Sequence, residues 1–148
     1  MTTAAIIPSR TEVELAPSPI EPSWVRDGNP IARKSILSRS EDGTASTIVW
    51  ECSEGSFDWF YDFDETIHFL EGSVVIEGDG LPPTRFGPGD VLFFKHGAKA
   101  HWRVESKVRK LAFCRTTQPR MVGFALRAMN KVKRFLMGSA ATPSLAFR

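Results

Sequence analysis

Between Ile31 and Arg115 the chain alternates apolar and polar residues in short runs, each interrupted by turn residues. Alternate residues of a strand share a face, so such runs predict half-buried strands. "STIVWEC" is apolar and β-branched, and "TIHFLEG" and "SVVIEG" follow it, divided at Glu71-Gly72. "VLFF" predicts a buried strand, and "AHWRVES" with "VRKLAFCR" predicts a closing pair. "DGLPP", "GPGD" and "HGAK" supply the turns. Many short strands at this spacing predict an all-β sandwich or barrel.

Upstream the pattern is lost. Five prolines fall within residues 8–30, and proline has no N–H to give a ladder, so this segment predicts an extended arm or an edge. Trp24 and Val25 are its expected anchors. After Pro119 the period lengthens: Met121, Val122, Ala125, Ala128, Met129, Val132 and Leu136 recur at helical spacing, with Arg127, Lys131 and Arg134 on another face. The expected division is an arm over 1–30, a β domain over 31–116, an amphipathic helix over 119–137 closed by Gly138, and a flexible tail over 138–148. The helix is expected to pack on its own barrel or on a partner copy; attachment to an anionic membrane surface is the lesser expectation.

Composition adds bounds. The 148 residues suffice for one domain with a substantial core. No apolar stretch is long enough to span a bilayer, and "MTTAAIIPSR" does not read as a signal peptide. Cys52 and Cys114 form no CxxC pair and predict two reduced thiols in a cytoplasmic protein.

The net charge of +2 conceals a segregation. Glu41 to Asp79 holds eleven acids and no Lys or Arg, whereas Arg85 to Arg115 holds eight bases against Asp90 and Glu105. Six further bases and no acid follow. Acidic and basic strands are therefore expected side by side, paired across a sheet. Nucleic acid is not an expected partner, since the charge is largely offset and no base-reading motif is present.

One stretch carries the candidate chemistry: "SFDWFYDFDE", residues 56–65, an aromatic ladder edged by carboxylates. Taken with Trp50-Glu51-Cys52, Gly55, Leu70-Glu71-Gly72, Gly87-Pro88-Gly89-Asp90, Gly97 and Trp102, it resembles the cupin superfamily. More narrowly it is similar to single-domain cupins grouped with ethanolamine-utilisation proteins and (S)-ureidoglycine aminohydrolase, which share an RmlC-like jelly roll. The resemblance covers roughly Trp24 to Arg115. It implies an all-β cupin jelly-roll barrel or β-sandwich, with the arm and the C-terminal helix as additions, and it implies a homodimer.

The resemblance also locates a metal site, which this sequence fills differently. The two histidine positions of the first cupin motif fall at Trp59 and Tyr61, with Glu65 kept. In the second motif Lys95 stands at the proline, Ala100 at the histidine and Val104 at the asparagine. One carboxylate does not hold a transition metal, so no metal and no other cofactor is expected. Phe57, Trp59 and Tyr61 are then expected to face the barrel interior, with Phe63 in the turn before Glu65.

Glu65 is the candidate catalytic acid or base; the alternative is a structural carboxylate held by Trp or Tyr donors or by an inward base. The expected ligand set is Phe57, Trp59, Tyr61, Glu65, His101 and Trp102. His101 belongs to it only if a bulge turns it inward, since simple alternation sends it out and Trp102 in; inward, with Glu65, it forms the weak alternative metal pair. His68 is expected outside and His96 solvated in its turn, where Lys95 is expected to be an exposed lysine, contact with an anionic ligand being the lesser expectation.

The functional expectation is an aromatic-lined barrel binding a small polar or anionic molecule. The rivals are a metal-dependent hydrolase or aminohydrolase-like enzyme, and a non-catalytic structural or regulatory dimer with a filled barrel.

Overall fold

The computed structural model describes residues 4–116 and 120–137. The chain divides into two units, residues 1–117 and 118–148. In the second, α1 runs Arg120–Leu136, matching the helical period, with Lys133 and Arg134 in its last turn, where cations suit the helix dipole. The expected stop at Gly138, the tail over 138–148 and Pro119 lie outside the described residues. No described helix is long and apolar enough to cross a membrane.

The first unit is a curled antiparallel sheet of nine strands: β1 Ala16–Pro17, β2 Val25–Asp27, β3 Ala32–Arg39, β4 Ala45–Cys52, β5 Gly55–Phe60, β6 Asp64–Gly78, β7 Leu81–Phe86, β8 Val91–Phe94 and β9 Lys99–Arg115. β9 is its spine. One edge of β9 pairs with β6 along nearly its whole length. The other edge takes β5 at residues 99–104 and β4 at residues 108–115. β7 and β8 complete the far side by pairing with β6. The result is the all-β barrel-like architecture that the strand spacing predicts, and the jelly roll that the resemblance implies.

Two divisions expected from the sequence do not exist. "AHWRVES" and "VRKLAFCR" are one 17-residue strand, not a closing pair. The polar Glu105-Ser106-Lys107 where they join marks the gap where β5 ends and β4 begins on the neighbouring edge. Likewise "TIHFLEG" and "SVVIEG" are one 15-residue strand, bent and not broken at Gly72. There φ is +85°, and a Cβ would collide with the carbonyl oxygen of Lys107. The register shifts around this point, so the buried positions change parity from Glu65, Ile67 and Phe69 to Val74 and Ile76. "VLFF" is also not a fully buried strand. β8 pairs with β6 alone, leaving Val91 63% and Phe93 53% exposed while Phe94 faces in.

The arm is better ordered than its prolines suggest. β1 pairs with β3 at one edge of the path β3-β4-β9-β5, and β2 pairs with β5 at the other. Residues 18–24 therefore cross between opposite edges. Ile20 joins the core, and Trp24 and Val25 pack against it, so the crossing runs over the inner face.

The segregated charges meet across these strands, as expected. Asp64 pairs with Arg115 at 3.3 Å, Glu51 with Arg109 at 3.1 Å and Glu65 with Lys110 at 2.9 Å.

Candidate functional site

Directly paired residues of a sheet point to the same side, so the register fixes which side chains share the interior. One inner row runs Trp50, Lys110, Phe69, and another runs Ser46, Cys114, Glu65, Phe94. Phe57 lies opposite Trp102, and Trp59 opposite Ala100. These rows enclose a cavity of about 330 Å³, at the small end of ligand pockets.

Its walls are aromatic. Trp50 meets Phe57, Trp59 and Trp102 with ring centroids 6.3, 6.2 and 5.9 Å apart. Tyr61 lines it just past β5, stacked on Phe94 at 4.2 Å. Phe63 also reaches the wall from the bend before β6. The arm contributes Ser18, and the rim includes Lys34, Thr44 and Thr116.

One ion pair stands among these rings. Lys110 Nζ donates to Glu65 Oε1 at 2.9 Å, with the residues only 6% and 5% exposed. The ammonium lies 4.8 Å from the Trp50 ring centroid and 4.9 Å from that of Trp102, so two indole faces hold its charge. An ammonium has three donors, and the carboxylate takes one. Among the described residues, the buried indole N–H of Trp102 has no hydrogen-bond partner. The Tyr61 hydroxyl lies near enough to feel this N–H, although the two do not meet hydrogen-bond geometry.

The remaining titratable groups of the wall are neutral at ordinary pH. Burial, and secondarily the Glu65 charge, hold the Tyr61 phenol well above its usual pKa. Burial pushes the Cys114 thiol up to about 11, and that of Cys52, which lies in the core and not in this wall, up to about 12. Neither is a thiolate nucleophile.

Of the expected ligand set, Phe57, Trp59, Tyr61, Glu65 and Trp102 line this one cavity. His101 does not. It pairs with Asp58 and shares that residue's outer face, where its Nδ1 lies 2.8 Å from Asp58 Oδ1. No bulge reverses the alternation between β5 and β9, so His101 leaves both the ligand set and the alternative metal pair with Glu65. Asp58 also accepts from Arg26 Nε at 2.8 Å, which ties β2 of the arm to the barrel. Lys95 is exposed in its turn and is not part of the cavity wall.

Lys110 is the residue that the sequence reading missed. Alternation counted from Trp102 through 104, 106 and 108 reaches it, but the expected division of this segment into two strands stopped the count.

The donors do not fit the metal of a cupin. Trp59, Tyr61 and Ala100 stand at the imidazole positions, and the remaining carboxylate faces an ammonium. Among the described residues no cluster of three His, Cys, Asp or Glu side chains has metal-binding spacing.

Residues 39–112 match the family model of the EutQ-like cupin domain. No curated protein matches the chain in sequence. Among solved structures, a protein of unknown function from Pseudomonas syringae pv. tomato aligns with a TM-score of 0.65 and 24% identity, over 71% of this chain and 46% of its own. This chain thus spans under half of that protein. A putative ethanolamine utilization protein Q from Salmonella typhimurium aligns with a TM-score of 0.52 and 20% identity, over 60% of this chain and 72% of its own. The EutQ protein of Clostridium difficile gives 0.52 and 21%, over 60% of this chain and 65% of its own. At such identities the likeness is one of fold.

Proposed function

The chain belongs to the EutQ-like cupin domain family, and we propose that it is a small-molecule-binding cupin whose aromatic cavity takes a small polar or anionic compound. The observation that carries this reading is the buried Glu65–Lys110 pair in the wall of an open 330 Å³ cavity. Desolvating two charges is costly, and well-packed apolar residues in their place commonly give an equal or more stable core. As mere packing, the pair is a poor solution. As a polar end to an aromatic pocket, it supplies the few placed charges that orient a bound molecule.

A filled scaffold is disfavoured by the volume of the cavity. A metal-dependent hydrolase is disfavoured by its donors, since Glu65 faces Lys110 and, among the described residues, no imidazole lines the wall.

The test blocks the cavity from within. Ala112 is buried in its wall, and Ala112→Leu adds volume there. Small aromatic and aliphatic acids, amides and amines are to be screened for thermal stabilisation of both proteins. At least one probe is expected to raise the melting temperature of the native protein and not that of Ala112→Leu. Equal shifts in both proteins, or none in either, would reject the reading.

A further inference from the structure

We propose that the compound this cavity takes is a monocarboxylate with a flat apolar body, its carboxylate bound between Lys110 and the indole N–H of Trp102. This rests on the reading of the cavity as a ligand site and names the chemistry of its occupant.

Charge comes first. The wall holds two lysines, Lys34 and Lys110, against one carboxylate, Glu65, an excess of one basic side chain. A single anion neutralises the site. A cation would add to the excess, and a dianion such as a phosphate monoester would leave a net negative charge among buried rings, which is costly.

The donors agree. Trp102 is 1% exposed, and among the described residues its buried N–H has only the Tyr61 hydroxyl nearby, outside hydrogen-bond geometry; a buried donor left unsatisfied is uncommon. Lys110 Nζ lies 4.9 Å from the centroid of the same indole and spends one of its three protons on Glu65. A carboxylate has two oxygens and about four lone-pair sites, so it accepts from both groups at once. Bonds of that kind to a charged group are about twice as strong as neutral ones. A neutral amide offers one carbonyl oxygen and brings an NH₂ that must itself be satisfied.

The body follows from the rest of the wall. Trp50, Phe57 and Trp59 present rings to the cavity, which suits a flat apolar group packed edge-to-face or offset. Lys34 at the rim draws an anion in without needing to touch it.

The experiment is isothermal titration of the native protein with four probes of one shape: benzoate, benzamide, benzylamine and phenyl phosphate. Benzoate is expected to bind most tightly. Lys110→Met is expected to weaken benzoate by at least about tenfold, as loss of a hydrogen bond to a charged group does. Lys110→Met also strands Glu65 and is liable to misfold, so Trp102→Phe is measured beside it. That change keeps a ring and removes only the N–H, and it is expected to weaken benzoate severalfold while leaving benzamide less affected. Benzamide, benzylamine or phenyl phosphate binding as well as benzoate would overturn the carboxylate assignment and leave the ligand site standing. Benzoate binding unchanged in Trp102→Phe would overturn it too. Heat from none of the four probes would overturn the assignment, and silence in the screen against Ala112→Leu would then remove the ligand site itself.

Discussion

Two pairs of a carboxylate and a basic side chain, of nearly equal length, lie on opposite faces of this sheet. Glu65 and Lys110 meet at 2.9 Å inside, and Asp58 and His101 meet at 2.8 Å outside. Both join a strand of the acidic segment to β9. Their surroundings differ. The inner pair is sealed among tryptophans, where separating its partners leaves a bare charge in a poor solvent. The outer pair shares Asp58 with the half-exposed Arg26 and holds the arm in place. Register alone assigns these roles, because one step along β9 exchanges the faces. The outer pair is a fastening; the inner pair is the polar end of a pocket.

The largest expected effect breaks the inner pair on one side. Lys110→Met leaves Glu65 buried and uncompensated, and should cost about 3–5 kcal/mol, read from urea denaturation. Glu65→Gln keeps an acceptor but removes the counter-charge, and should cost less. The double change Glu65→Leu with Lys110→Met should recover native stability or exceed it, as replaced buried ion pairs do, while abolishing ligand binding. Recovery of binding along with stability would contradict the role given to the pair.

A second test separates the fully buried from the partly buried ring of the cavity wall. Phe57 is fully buried, so Phe57→Ala should cost about 3–5 kcal/mol. Trp59 is only partly buried at the cavity, and Trp59→Ala should cost about 1–2 kcal/mol by lost area. Equal losses at the two positions would mean that the cavity is closed in solution.

The ladder itself was legible in the sequence. Alternation through Phe57, Trp59 and Tyr61 needs only a regular strand, and β5 is regular against β9. The fold was legible for the same reason, together with its turn glycines. What escaped depended on long-range pairing. The continuity of β9 past Glu105-Ser106-Lys107 comes from β6 on its other edge, and without it Lys110 cannot be placed. The outward turn of His101 follows from alternation, yet only the partner Asp58 removes the possibility of a bulge. The arm gave no signal of the crossing that puts Ser18 in the cavity wall, since that path is set by the two edges it joins.

The outer pair should show itself through acid. The hydrogen bond from His101, and then the bond and charge of Arg26, hold the Asp58 carboxyl below its ordinary value of 3.8. A depressed carboxylate stabilises the fold above its unfolded pKa, and that stability is lost as pH falls through the folded value. Melting temperature should therefore decline in acid in the native protein. Asp58→Asn should flatten part of that decline and make the arm more open to proteolysis. An unchanged acid profile would detach Asp58 from the fastening.

The smallest effect belongs to a pair at the surface. Arg85 and Glu105 meet at 2.7 Å on the surface, and Arg85→Ala should leave the melting temperature unchanged within error. A clear loss there would undo the distinction drawn between inner and outer pairs.

The inner site carries its own reporter, because Trp50, Trp59 and Trp102 in its wall are three of the four tryptophans in the chain. The most direct measurement is the intrinsic tryptophan fluorescence of the native protein during titration with benzoate, repeated with Ala112→Leu. A saturable change in the native protein that is lost when the cavity is filled is the result expected of an open aromatic ligand site. No saturable change, or the same change in both proteins, would contradict it.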